Sequence, residues 1–270
     1  MSKCFFPGNL IHPWNIVDVI VSTRLFTQYP ARSTETGDMG DSIVDTHHLM
    51  KDHLLFIVGM KMDISSTFYD LNIPKFPLTV DVSVSHVGRS SSHRVYKVLH
   101  KSCATRPLVT CAIDDVIVDK VTRKSAPFPD WWDDKYGHLK CSEKSRLSVS
   151  TSKASTLLFN DKFTVDFEHV DHNGHTTTSA YVKFCFNAAF RNVHKKNYNN
   201  NLAECFSKGI KTLTMLFFKE SSYGDVLTVA SWESEDDTIT FQCKNDSGEM
   251  CSSVSFVING LSEGVSKSHL

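Results

Sequence analysis

The 270-residue sequence contains no apolar run near the roughly 18 residues that a membrane-spanning helix needs. It also lacks an excess of charge. Lys and Arg number 29 against 30 Asp and Glu, a formal net charge of -1, so no global field draws nucleic acid or an anionic membrane to it. Met1–Phe6 carries one positive charge with no apolar stretch of roughly 7–15 residues behind it, and no secretory signal is expected. Eight cysteines are present, at 4, 103, 111, 141, 185, 205, 243 and 251, but no pair has C-x-x-C spacing. That removes the common zinc and redox motifs and favours reduced thiols in an intracellular protein, several of them packed in the core. His47, His48 and His53 have no cysteine near them and no ligand spacing, so they read as surface loop and no metal or other cofactor is expected. What remains is an ordinary folded composition, 41% hydrophobic and 22% charged, of a length that suits one large domain or two of usual size.

A weak internal repeat organises the chain. Leu78–Leu99 and Leu227–Lys244 each open on Leu-Thr-Val, alternate apolar and polar residues, break at a polar turn and alternate again. That is the signal of a β-hairpin with one buried face, and a third strand follows each, over Leu108–Val118 and Glu249–Ile258. A helix is expected upstream of each set. Pro13–Gln28 has Trp14, Val17, Ile20, Val21 and Leu25 at helical spacing, and Ser179–His194 follows a run of hydroxyls suited to capping. Residues 141–155, with six serines and no core pattern, read as a linker. The expected division is therefore an α+β pair: residues 1–140, a linker 141–155, a second unit 156–262 and a tail 263–270. Asp130–Asp134, with two tryptophans, reads as a packed segment closing the first unit.

The segment Phe167–Val182 resembles the signature of hotdog thioesterases. That signature is an Asp, then Gly-His three and four residues on, then small polar residues and a Tyr opening a helix. Asp171, Gly174, His175 and Tyr181 match it in order. The Asp-x-Asn-x-His spacing of Asp171, Asn173 and His175 also resembles the plant acyl-carrier-protein thioesterases, which are tandem hotdogs with the motif in the second half. The resemblance implies a tandem (double) hotdog, each half a long helix wrapped by a curved antiparallel sheet. It implies a catalytic set of Asp171, Asn173, His175 and Glu220, the Glu on the strand Phe217–Ser221. Two departures stand out: Ser221 replaces the family's usual Cys, and Thr176-Thr177-Thr178 replaces Val-Asn-Asn. The first half departs further, because aligning Gly8 with Gly174 puts Phe5 where the Asp should be. It reads as a degenerate partner, with one active site per chain.

Hydrolysis of a thioester needs a nucleophile at the carbonyl and donors for the oxyanion. Asp171 could activate water or attack directly. Gly174, Thr176 and Tyr181 are the expected oxyanion and substrate residues, since the N-terminus of a helix offers free N–H groups. The bland alternative is a polar loop and helix cap without chemistry. The expected function is an acyl-CoA thioesterase, with acyl-CoA or an acyl-carrier protein as partner. A hotdog hydratase or dehydratase, or a non-catalytic acyl-binding protein, are the alternatives. Ser268-His269-Leu270 resembles the Ser-Lys-Leu peroxisomal address. Its partner would be the peroxisomal import receptor and its location the peroxisome, with the cytoplasm as alternative. A homodimer is left open.

Overall fold

The computed structural model describes residues 11–29, 42–70, 72, 76–100, 106–140, 147–148, 158–199, 202, 206, 208–234 and 238–260. Phe5 and Gly8, most of the 141–155 linker and the Ser268-His269-Leu270 tail lie outside the described residues.

Among the described residues nine strands form one antiparallel sheet: β1 (His53–Ile64), β2 (Leu78–Val87), β3 (Ser91–His100), β4 (Val109–Asp119), β5 (Phe159–Thr164), β6 (Ile210–Phe217), β7 (Val226–Ser234), β8 (Thr238–Lys244) and β9 (Met250–Ile258). Their spatial order is β2-β3-β4-β1-β6-β9-β8-β7-β5. The first half of the chain thus supplies one side of the sheet and the second half the other. Two long helices, α1 (Pro13–Gln28) and α4 (Thr178–His194), pack beside each other in the common core. The short helices α2 (Thr46–Leu49) and α3 (Asp130–Tyr136) seal the first half. There Trp132 is buried against Phe128 and donates its indole N–H to Val44 O at 2.8 Å, which is the packed segment expected of Asp130–Asp134. Among the described residues no helix is long and apolar enough to cross a membrane.

Local sequence explains most elements. In β2, Leu78, Val80, Val82 and Val84 are half-buried while the residues between them are exposed. In α1, Pro13 occupies the first turn, where its missing N–H costs nothing. In α4 the Thr177 hydroxyl caps the helix by accepting the Ala180 N–H at 3.2 Å. The α4 core face is broad, with Tyr181, Val182, Phe184, Cys185, Ala188 and Ala189 all buried. Cys111, Cys185, Cys243 and Cys251 are free thiols inside the core.

The halves meet where β1 pairs with β6, Gly59 opposite Leu216 through Asp63 opposite Thr212. This pairing is centred on Lys61 and Thr214, and a local two-fold there relates the halves. It carries Ser222, beyond β6, onto Tyr69, beyond β1. The two positions are filled differently. The Tyr69 hydroxyl donates to Ile210 O at 2.8 Å and accepts the Ile210 N–H at 3.1 Å. Its ring lies against Gly209, whose φ is +94°. The Tyr69 side chain thus ties the end of the first half to the start of β6.

Gly209 cannot be replaced without conflict. A Cβ there would sit 2.5 Å from the Tyr69 ring, on a backbone that L residues rarely adopt. Gly209→Ala should destabilise the protein by about 2–4 kcal/mol, read as a lower urea midpoint at unchanged m. An unchanged midpoint would show that Tyr69 does not hold this junction.

Candidate active site

The motif segment folds as a tight loop ahead of α4. Gly174 N–H donates to Asp171 O and Asp171 N–H to His175 O, both at 2.9 Å. Gly174 has φ +79°, which is why this turn takes a glycine. The Asp171 carboxylate closes the loop on itself. Its Oδ1 accepts the Asn173 N–H at 2.8 Å and the His175 N–H at 3.1 Å, and Oδ2 lies 3.4 Å from Asn173 Nδ2. The Thr177 N–H donates to His169 O at 2.8 Å, tying the loop to the turn before it.

His175 then crosses to the segment after β6. It bridges to Ser222, and its Nε2 lies 3.4 Å from Glu220 Oε2. Glu220 was expected on a strand, but it follows the end of β6 by three residues. The N–H groups of Phe218 and Lys219 both converge on Cys251 O, at 2.9 and 3.3 Å. That doubled contact ends the ladder and turns Glu220 toward His175. The opposite side of Glu220 is held by the first half of the chain. Arg123 Nη2 donates to both carboxylate oxygens, at 3.4 and 3.3 Å, while its guanidinium lies over the Phe56 ring.

The two departures from the family pattern compensate each other. Ser221 is buried and shares hydrogen bonds with the Thr176 hydroxyl at 2.6 Å and the Tyr181 hydroxyl at 2.7 Å. Thr176 also donates its N–H to Ser221 O at 2.7 Å. Burial pushes the Tyr181 hydroxyl well above the usual phenol range, so it stays protonated and bonded.

Asp171, Asn173, His175, Thr176, Tyr181 and Glu220 line one cleft of about 420 Å³ at the junction of the halves. Gly174 does not; it borders a more open groove of about 560 Å³ on the other face of the loop, with Asp171, Phe167 and Tyr223. The N–H groups of Gly174 and His175 are engaged inside the loop. Those of Thr178 and Ser179, in the first turn of α4, make no hydrogen bond among the described residues, and Thr178 lines the cleft. Free N–H groups at the start of α4 were expected, though on Gly174 and Thr176 rather than on Thr178 and Ser179; Arg123 carries no motif and was not legible in the sequence. No group of three or more His, Cys, Asp or Glu among the described residues is placed to hold a metal.

Comparison with solved structures agrees with the architecture over nearly the whole chain. A protein described as an oleoyl thioesterase of Lactobacillus plantarum superposes with a TM-score of 0.66 at 14% identity, covering 94% of this chain and 91% of its own. The 12:0-ACP thioesterase of Umbellularia californica gives 0.65 at 13% identity, covering 94% and 92%. An acyl-ACP thioesterase of Bacteroides thetaiotaomicron gives 0.61 at 15%, again covering 94% and 92%. The chain is a tandem hotdog. No family model matches the sequence, and no curated protein matches it. In this tandem hotdog the cleft lies where the two halves share a wall.

The Thr176–Ser221–Tyr181 hydroxyl cluster should bear on stability. Ser221→Ala leaves the buried Tyr181 hydroxyl without this partner, at a cost of about 1–3 kcal/mol. Thermal unfolding should show a lower Tm than the parent; an equal Tm would mean that water or another group replaces Ser221 freely.

Proposed function

We propose that this tandem hotdog hydrolyses acyl thioesters to the free acid and a thiol, with CoA or an acyl-carrier protein as the thiol carrier. The observation that carries the reading is one cleft bordered both by a His–carboxylate pair and by a helix terminus with unpaired N–H groups. The first could generate a nucleophile, and the second could receive an oxyanion.

The roles divide as follows. The thioester carbonyl oxygen accepts hydrogen bonds from the Thr178 and Ser179 N–H groups. Asn173, held by Asp171, orients a water between itself and His175. His175 takes a proton from that water as its oxygen attacks the carbonyl carbon, and Glu220 stabilises the imidazolium formed. The tetrahedral intermediate collapses with cleavage of the C–S bond, and His175 returns the proton to the departing thiolate. Asp171 is a positioning residue in this scheme. Two of its contacts fix the Asn173 and His175 backbone, which makes it the support of the loop rather than the base. Thr176 and Tyr181 hold the wall of the cleft through Ser221. Arg123 ties Glu220 to the first half, so the reacting group is assembled from both halves. The names of the three superposed proteins, each a thioesterase, support the reading.

Purified protein should release free thiol from acyl-CoA of some chain length, followed with a thiol-trapping dye. His175→Ala and Glu220→Gln should each lower kcat by about 10²–10³. Asp171→Ala should lower it as well, together with altered loop order visible by amide exchange. Measurable acyl-CoA binding with no thiol released would sink the hydrolase reading in favour of a binding protein. Hydration of an enoyl-CoA without thiol release would favour the hydratase.

We further propose import into the peroxisome through Ser268, His269 and Leu270. Deleting these three residues should disperse a punctate fluorescent signal. An unchanged distribution would remove the import receptor as a partner.

A further inference from the structure

The first half of the chain carries a charged cluster at strand positions whose register equivalents in the second half are apolar. Arg24 of α1, Arg94 of β3 and Asp115 of β4 are all buried, at 7%, 2% and 0% exposure. Arg24 donates through Nε and Nη2 to Asp115 Oδ1, at 3.1 and 2.8 Å, and through Nη2 to Leu55 O at 2.8 Å. Arg94 Nε lies 3.6 Å from Asp115 Oδ2, and its Nη2 donates to the Thr46 hydroxyl at 3.0 Å. Gln28, placed with its amide oxygen toward Arg24, accepts from Nε and Nη2 at 3.3 Å.

The fold does not require this cluster. Ile57 of β1 faces Asp115, and the related Ile210 of β6 faces Ile258. Arg94 faces Ile113, and the corresponding pair in the second half is Ile239 with Phe256. The same strand steps equate Tyr96 with Phe241. The second half therefore packs Ile239, Phe241 and Ile258, all buried, where the first has Arg94, Tyr96 and Asp115. An apolar layer is the less costly solution, because removing charges from water is compensated only by complete pairing.

Pairing here is incomplete. Two guanidinium groups face one carboxylate, leaving one positive charge in excess. Arg94 Nη1 makes no hydrogen bond among the described residues, and Arg94 Nε and Asp115 Oδ2 face each other only at ion-pair distance, 3.6 Å. Arg24 Nη1 makes no hydrogen bond among them either, and Arg24 and Gln28 line the same cleft as His175 and Glu220. The apolar lining of that cleft includes Val21, Leu25, Ile57, Val58 and Phe217. An acyl chain placed with its thioester at His175 would run along an apolar wall toward a cation.

We propose that the acyl group taken by this cleft ends in a carboxylate, so that the substrate is the monothioester of a dicarboxylic acid, and that Arg24 reads that carboxylate. This rests on the thioesterase reading for the position of the carbonyl. A terminal carboxylate balances the excess charge and gives Arg24 Nη1 an acceptor. A methyl terminus would instead be buried against a guanidinium and would leave it unpaired.

The test is a ratio. Adipoyl-CoA against hexanoyl-CoA, and suberoyl-CoA against octanoyl-CoA, are compared on the intact protein. The carboxyacyl member should have at least a tenfold higher kcat/KM in one pair. Arg24→Gln should reduce that ratio to one or below. Asp115→Asn, which adds to the excess positive charge, should raise it, a change of opposite sign that a merely structural role would not produce. Because each reading is a ratio within one variant, partial loss of folding does not mimic the effect. If Arg24→Gln does not fold, the wild-type and Asp115→Asn ratios decide. A wild type that prefers plain acyl-CoA in both pairs overturns the proposal and leaves the thioesterase reading standing. If no substrate releases thiol, that reading fails, and calorimetric affinities for the same pairs decide this one. Tighter binding of the carboxyacyl member, lost in Arg24→Gln, supports it, and equal affinity overturns it.

Discussion

The pairing of β1 with β6 is the constraint on which the rest of the molecule depends. It fuses two sheets into one, so neither half has an open edge at the junction. It also fixes which residues can meet. Glu220, just beyond β6, is brought against Arg123 at the end of β4's hairpin turn only because β1 and β4 sit on the far side of that junction. A slip of one residue would turn every side chain of β6 to the opposite face. The cleft is therefore a consequence of register, and its polar groups inherit their positions from backbone pairing.

Within that frame, the loop from Asp171 to His175 is a local structure that carries its own order. Its turn, its glycine and its carboxylate contacts all fall within five residues. That is why the motif could be found in the sequence, together with the helix it precedes. The hairpins β2–β3 and β7–β8 were legible for a related reason, since alternation shows directly which face is buried. The strand β1 gives no such signal. Leu54 to Gly59 is an unbroken apolar run, which fits a strand at the centre of a sheet as well as a buried helix. Arg123, Arg24 and the kink that turns Glu220 off β6 depend on contacts between distant segments. Nothing in the spacing of residues predicts them.

The Ser221 position shows how such contacts alter the meaning of a substitution. Read along the chain, Ser221 and Thr176 are two separate departures from a family pattern. In space they are one change, because their hydroxyls bond to each other and to Tyr181. A fully bonded polar cluster of this kind tolerates burial, while the same groups placed singly would each carry a desolvation cost.

The first half invites the opposite comparison. Its register-equivalent core layer replaces three apolar residues with charged or polar ones, and their bonds are not complete. A half that served only as a packing partner would gain stability by reverting to the apolar layer of its twin. Of the two arginines in that core, Arg24 is the one that borders the cleft, and its Nη1 makes no hydrogen bond among the described residues. On the function proposed above, the half without the Asp-x-Asn-x-His loop contributes to the cleft through Arg123, which holds Glu220, and through Arg24, which lines its wall.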